Sequence, residues 1–180
     1  MKKLLLVLVT GITFSTCTSK KTDSASEVDS LNALADGSEL ALTAAPSVLA
    51  SSPLPGYTVK NSMALTDSIN FILLTSTETL NENFAPEKNP GTEIGQPDFA
   101  INYIIGVVCK PTEFTTNISI DNVEISGEEI AIFINMQRGS KQSNTAKASQ
   151  IFSIERRDGI SSIQFYVNGK KDKSFFMTGL

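Results

Sequence analysis

The sequence predicts a mainly β protein: an antiparallel, β-sandwich-like single domain of about seven to eight strands with one short helix. Three observations carry that expectation. From Tyr57 onward, β-branched and aromatic residues gather in short runs, several alternating with polar residues at the period of two that a half-buried strand requires. Turn-forming pairs, among them Ser126-Gly127, Asp158-Gly159 and Asn168-Gly169, stand between those runs. Within this part of the chain a single stretch, after Thr75, carries helical punctuation.

Ahead of that domain lie two segments of different character. Lys2 and Lys3 precede the apolar run Leu4-Leu5-Leu6-Val7-Leu8-Val9, and Phe14-Ser15-Thr16 then leads to Cys17, which is the pattern of a signal peptide over residues 1–16. The run is too short for a membrane span, which needs about 20 residues. Small residues followed by cysteine resemble the lipobox of bacterial lipoproteins, with Thr16 where Gly or Ala is usual and Phe14 where Leu is usual. That resemblance implies acylation of Cys17, a mature chain that starts there, and the membrane as a partner through lipid. Several acyl chains on one residue anchor firmly where one holds weakly. Thr18, in place of the Asp that retains enteric lipoproteins at the inner membrane, implies by the same resemblance the outer membrane of the cell envelope.

Residues 17–56 read as a tether. They are rich in Ser, Thr, Ala and Asp, end in Ser51-Ser52-Pro53-Leu54-Pro55-Gly56, and promise too little burial to offset chain entropy. Leucines at 31, 34, 40 and 42 suit a transient helix that Gly37 interrupts. Asp23-Ser24-Ala25, Asp29-Ser30-Leu31 and Asp67-Ser68-Ile69 each resemble the Asp-Ser-apolar site of envelope O-glycosylation, making Ser24, Ser30 and Ser68 candidate acceptors.

The domain itself is expected over 57–180, with strands near 57–65, 68–75, 101–109, 115–125, 129–137, 149–156, 161–167 and 171–177. Between the second and third, Ser76 or Thr77 caps a helix, Glu78 suits its first turn, Leu80 and Phe84 share a face, and Pro86 ends it. Residues 87–98, with two prolines and two glycines, form a long surface loop. The run 101–109 is apolar on both faces and belongs at the centre of a sheet. The apolar phase slips between Ile120 and Val123, which predicts a bulge near Asp121-Asn122.

The composition narrows the chemistry. Histidine is absent, which removes the commonest general base and metal ligand. Two cysteines are present, so a lipidated Cys17 leaves Cys109 as an unpaired, buried small hydrophobe rather than a nucleophile. Glu128-Glu129 sits at a hairpin tip and its two carboxylates diverge. The net charge of −4, which loss of Lys2 and Lys3 makes −6, offers no footprint for nucleic acid. No motif calls for a cofactor or a metal, and the expectation is a chain that is not an enzyme. Two polar stretches remain as contact candidates: residues 139–148, read as a loop flanked by Arg138, and the charged hairpin tip Arg156-Arg157-Asp158-Gly159.

The order of features adds a resemblance. A strand pair, a short helix ending in Phe84, a loop into Pro97-Asp98-Phe99, an apolar strand, Lys110-Pro111-Thr112, a hairpin and Ile151-Phe152-Ser153-Ile154 together resemble the C-terminal domain family of PrcB, a lipoprotein of a bacterial surface protease complex. The similarity covers 60–168 and implies a β-sandwich-like domain with an accessory role beside another envelope protein or a protease. Family members often carry Pro-Thr-Gly-Gly-Tyr after the central strand; here Glu113-Phe114-Thr115 follows Pro111-Thr112. A Pro-Thr loop of this kind also serves chagasin-like protease inhibitors. The residues Lys110, Pro111, Thr112, Glu113 and Phe114 are therefore a candidate partner-contact loop. The primary expectation is a lipid-anchored, non-enzymatic binding or accessory module, and the alternative is a protease inhibitor or protease-complex regulator using that loop.

Overall fold

The apolar run around Ile104 organises the fold. In the computed structural model, which describes residues 45–177 apart from Pro90 and Thr92, the chain enters through β1 (Ser47–Val48) and β2 (Ser51–Leu54). It continues through β3 (Tyr57–Val59), β4 (Ile69–Leu74), α1 (Thr77–Asn83) and β5 (Phe84–Pro86). Then come β6 (Asn102–Cys109), β7 (Thr112–Ser126), β8 (Glu129–Ala146), β9 (Ser149–Glu155), β10 (Ser162–Val167) and β11 (Lys170–Phe176). The leader, Cys17, Ser24, Ser30, the stretch 28–42 and the first part of the tether lie outside the described residues. No helix among the described residues is long and apolar enough to cross a membrane.

Two sheets form the sandwich. One has the order β1-β7-β8-β10-β11, the other β2-β9-β6-β4, so β6 lies inside its sheet as its two apolar faces require. Tyr103, Ile105, Val107 and Cys109 look toward the five-stranded sheet and join a core with Ile130, Ile132, Ile134, Ile163 and Phe165. Ile104 and Val108, on the opposite face, join Leu74, Leu80, Phe84 and Ile151 under the helix and the small β3-β5 sheet. β6 is thus buried on both faces. Gly106 sits between Ile104 and Val108 because the Phe84 ring lies against the backbone there; a Cβ would come within 2.7 Å of Phe84 Cζ.

The helix follows its punctuation. Ser76 is the N-cap and its hydroxyl accepts from Thr79 N at 3.3 Å, while Thr79 Oγ1 accepts from Ser76 N. The helix ends at Asn83 rather than at Pro86. Phe84 is its C-cap in extended backbone, buried beside Leu80, and opens β5. The bulge expected near Asp121-Asn122 is present as a register shift between Ile120 and Asn122. Asn168 and Gly169, with φ of 48° and 78°, make the tight turn between β10 and β11.

Four expectations are corrected. Residues 47–54 are not tether: β1 pairs with Glu124 and Ile125 of β7, β2 pairs with Ile151–Ile154 of β9, and Leu49 and Leu54 are buried. Ser- and Pro-rich composition hid two edge strands, because an edge strand needs only alternate apolar contacts. Residues 57–65 keep a strand only to Val59, after which Lys60 N donates to Asn83 O and the chain turns. The stretch 139–146 is strand, not loop, a continuation of β8 beside β7. Asp158-Gly159 does not close a hairpin; it carries the chain from one sheet to the other, where β10 lies parallel to β8. The sandwich therefore contains one parallel pair among otherwise antiparallel ones.

Candidate functional site

Two of the three stretches singled out as contact candidates, Lys110–Phe114 and residues 139–148, face each other. Thr112 pairs with Ala146, Phe114 with Lys141 and Thr116 with Arg138, so Lys110–Phe114 and 139–146 are two edges of one ribbon. Its register shifts twice, between Thr112 and Phe114 and between Phe114 and Thr116, because β8 spends more residues than β7 on the same span.

Within that ribbon the candidate residues are largely engaged. Lys110 N donates to Ser68 O at 3.0 Å and its ammonium to Thr66 O at 2.8 Å, holding the turn before β4. Thr112 Oγ1 accepts from Phe114 N at 3.3 Å, Glu113 pairs with Lys141 at 3.0 Å, and the Arg138 guanidinium lies 3.4 Å over the half-buried Phe114 ring. Pro111 is exposed. Lys147, also in the presumed loop, directs its ammonium to the carbonyls of Lys60, Asn61 and Met63 at 3.2–3.4 Å. Ser68 is exposed on the turn that Lys110 clamps. Glu128 stands at its hairpin tip, while Glu129 accepts hydrogen bonds from Gln164 and Ser162, so the two carboxylates do not converge. Burial pushes the Cys109 thiol up to about 11, the opposite of an activated nucleophile. No group of three metal-ligating side chains occurs among the described residues.

A concave region lies at the opposite end of β6, where the sequence showed only the charged tip Arg156-Arg157-Asp158-Gly159. A cleft of about 180 Å³ is lined by the apolar Leu73, Leu74, Phe99 and Met177 together with Tyr103, Arg156, Thr75 and Asn102. Two further hollows share Arg156: one of about 140 Å³ toward Gly159 and Ile160, and a wider one of about 560 Å³ along Ala100, Ile101, Glu155 and Asp158. The ladder between β6 and β9 positions these groups. Asn102 pairs with Glu155, and Arg156 N donates to Ile101 O at 2.9 Å, which fixes the arginine at the end of β9.

The electrostatics of this end are asymmetric. Glu155 is taken by Arg157 at 2.7 Å, and no carboxylate lies within 4.0 Å of Arg156 among the described residues. The Arg156 guanidinium instead sits 5.5 Å from the Tyr103 ring centroid, and Tyr103 donates its hydroxyl proton to Arg157 O at 3.0 Å. Burial raises the Tyr103 phenol above its ordinary value; Arg156 opposes that rise and Asp158 adds to it. Tyr103 is therefore a neutral wall and Arg156 an exposed cation beside an apolar slot, an arrangement suited to holding an anion next to a nonpolar group. The residue signal was present in Arg156-Arg157 and Tyr103, but only the fold brings Met177, Phe99 and Leu73 to them.

Comparison of the chain with protein-family models, with curated proteins and with solved structures finds no match.

Proposed function

We propose that the chain is a lipid-anchored cell-envelope protein, held at the outer membrane through Cys17, whose β domain is a non-enzymatic binding or accessory module for another envelope protein. The cleft at Tyr103 and Arg156 is its contact site. The observation that carries this reading is Arg156: an arginine without a carboxylate partner among the described residues, shared by three adjoining hollows and flanked by exposed Ile101. An unneutralised guanidinium over an aromatic ring recognises a partner's anion at low reorganisation cost. The lipobox-like setting of Cys17 supports the anchor, and the resemblance to the PrcB domain supports an accessory role.

Capture from native envelopes tests it, with the tether intact and with wild type, Arg156→Glu and Lys170→Gln compared. The expected result is a partner retained by wild type and Lys170→Gln and lost with Arg156→Glu. Capture indifferent to Arg156 removes the cleft from the proposal. Cys17→Ser tests the anchor: the protein then moves from the detergent phase to the aqueous phase, and mass spectrometry finds no acylated amino terminus. The inhibitor reading, centred on Lys110-Pro111-Thr112, has less support, since Lys110, Thr112, Glu113 and Phe114 are tied to neighbours rather than free to enter a cleft. Inhibition of any member of a broad serine and cysteine protease panel by the purified protein would restore it.

A further inference from the structure

Resting on the reading of the Arg156 cleft as a contact site, we infer that it takes an α-carboxylate adjoining an apolar side chain, the chemistry carried by the free C-terminus of a peptide or by a free amino acid. The charge decides the anion. Asp158 lines both outer hollows and faces the same space as Arg156 without pairing to it, so a multiply charged phosphate would meet repulsion there. A single carboxylate fits the planar guanidinium in bidentate fashion and leaves Asp158 able to accept from an adjacent N–H or ammonium.

The shape decides the neighbour. The slot beside Arg156 is lined by Leu73, Leu74, Phe99 and Met177, and its volume of about 180 Å³ falls below that of sites for drug-sized ligands, which suits it to a smaller apolar group. Thr75 and Asn102 also line the slot and offer it polar groups that a backbone amide could meet. The wider hollow continues from Arg156 along Ala100 and Ile101, and Ile101 is 63% exposed, giving preceding residues of a peptide an apolar shelf. The terminal side chain then fills the slot, the carboxylate meets Arg156, and the chain leaves over Ile101.

The test follows the methyl group of Met177, which lines the slot, by NMR on the full chain, with the methyls of Met63 and Met136 as internal references. The probes are the acetylated pentapeptide Gly-Ser-Gly-Ala-Leu with a free carboxylate, its C-terminal amide, the same peptide ending in Asp, and free leucine. The free-acid leucine peptide shifts Met177 alone, and its amide and its aspartate counterpart bind about tenfold more weakly or worse. Arg156→Gln abolishes the difference between acid and amide, while Lys170→Gln, at the far end of β10 and β11, preserves it. Free leucine binding as tightly as the peptide supports the inference with a small-molecule source; weaker binding supports it with a peptide source. Equal binding of acid and amide, or no shift of Met177 with any probe, overturns it. The capture experiment with Arg156→Glu still judges the contact site by itself.

Discussion

Cys109 ends β6 inside the inter-sheet core, and its raised thiol has a consequence for stability. The folded chain holds the neutral thiol up to about 11, whereas the unfolded chain releases the proton from about 9. The stability linked to this group is complete below about pH 9 and falls as the pH climbs toward 11. Urea titrations at pH 8 and pH 10 are expected to show a smaller loss for Cys109→Ala than for wild type; equal losses would refute the assignment. Tyr57 and Tyr103, both raised by burial, act in the same direction and remain in the variant. Residues of this kind were legible: a cysteine in an unbroken apolar run is buried. Lys110 and Lys147 were not, because their partners are carbonyls of Thr66, Lys60, Asn61 and Met63, and backbone acceptors leave no mark in a sequence. Arg156 shows the converse. The sequence offers it within a charged tip with Glu155 one residue away, and only the fold commits Glu155 to Arg157.

Single side chains also set where elements stop. Parallel pairing of β10 with β8 ends at Val167 and Ile134, and Asn168 then continues the ladder with its own amide. Its N–H donates to Ile134 O at 2.9 Å, its Oδ1 accepts from Met136 N at 2.8 Å, and its Nδ2 donates to Met136 O at 3.1 Å. Asn168→Gly keeps the positive φ but loses both side-chain bonds, and is expected to cost about 1–2 kcal/mol in chemical denaturation. Gly106→Ala forces a methyl against the Phe84 ring in a layer with no slack, for an expected loss of about 1–3 kcal/mol. Pairing it with Phe84→Leu should recover part of that loss, and simple additivity of the two would argue against the contact. Most long strands and the helix could be read from alternation and capping, since those patterns are local. The polar extension of β8 could not, because Gln, Ser, Asn and Thr in 142–145 suit a loop and an exposed ribbon equally.

The domain as a whole begins earlier than its composition suggests, and that is testable by trimming. A chain starting at residue 45 keeps β1, β2, Leu49 and Leu54; one starting at Tyr57 loses two buried leucines worth about 1.5–3 kcal/mol each, a sum that reaches the lower end of ordinary domain stability. The first is expected to melt cooperatively near the full chain's midpoint, followed by circular dichroism, and the second to melt far lower or without a transition. Sheet membership at this scale was beyond sequence reading, because it depends on which strands change sheets: the turn at Asp158-Gly159 looks like a hairpin and is a crossing. The pairing of the entry strands also fixes an order of events. Val48 meets Glu124, and Leu54 meets Ile151. The amino-terminal strands therefore have nothing to join until most of the polypeptide has been delivered. Such distant closure makes for slow folding, so a chain synthesised from its amino terminus stays loose while it emerges and sets into shape only once β9 is free.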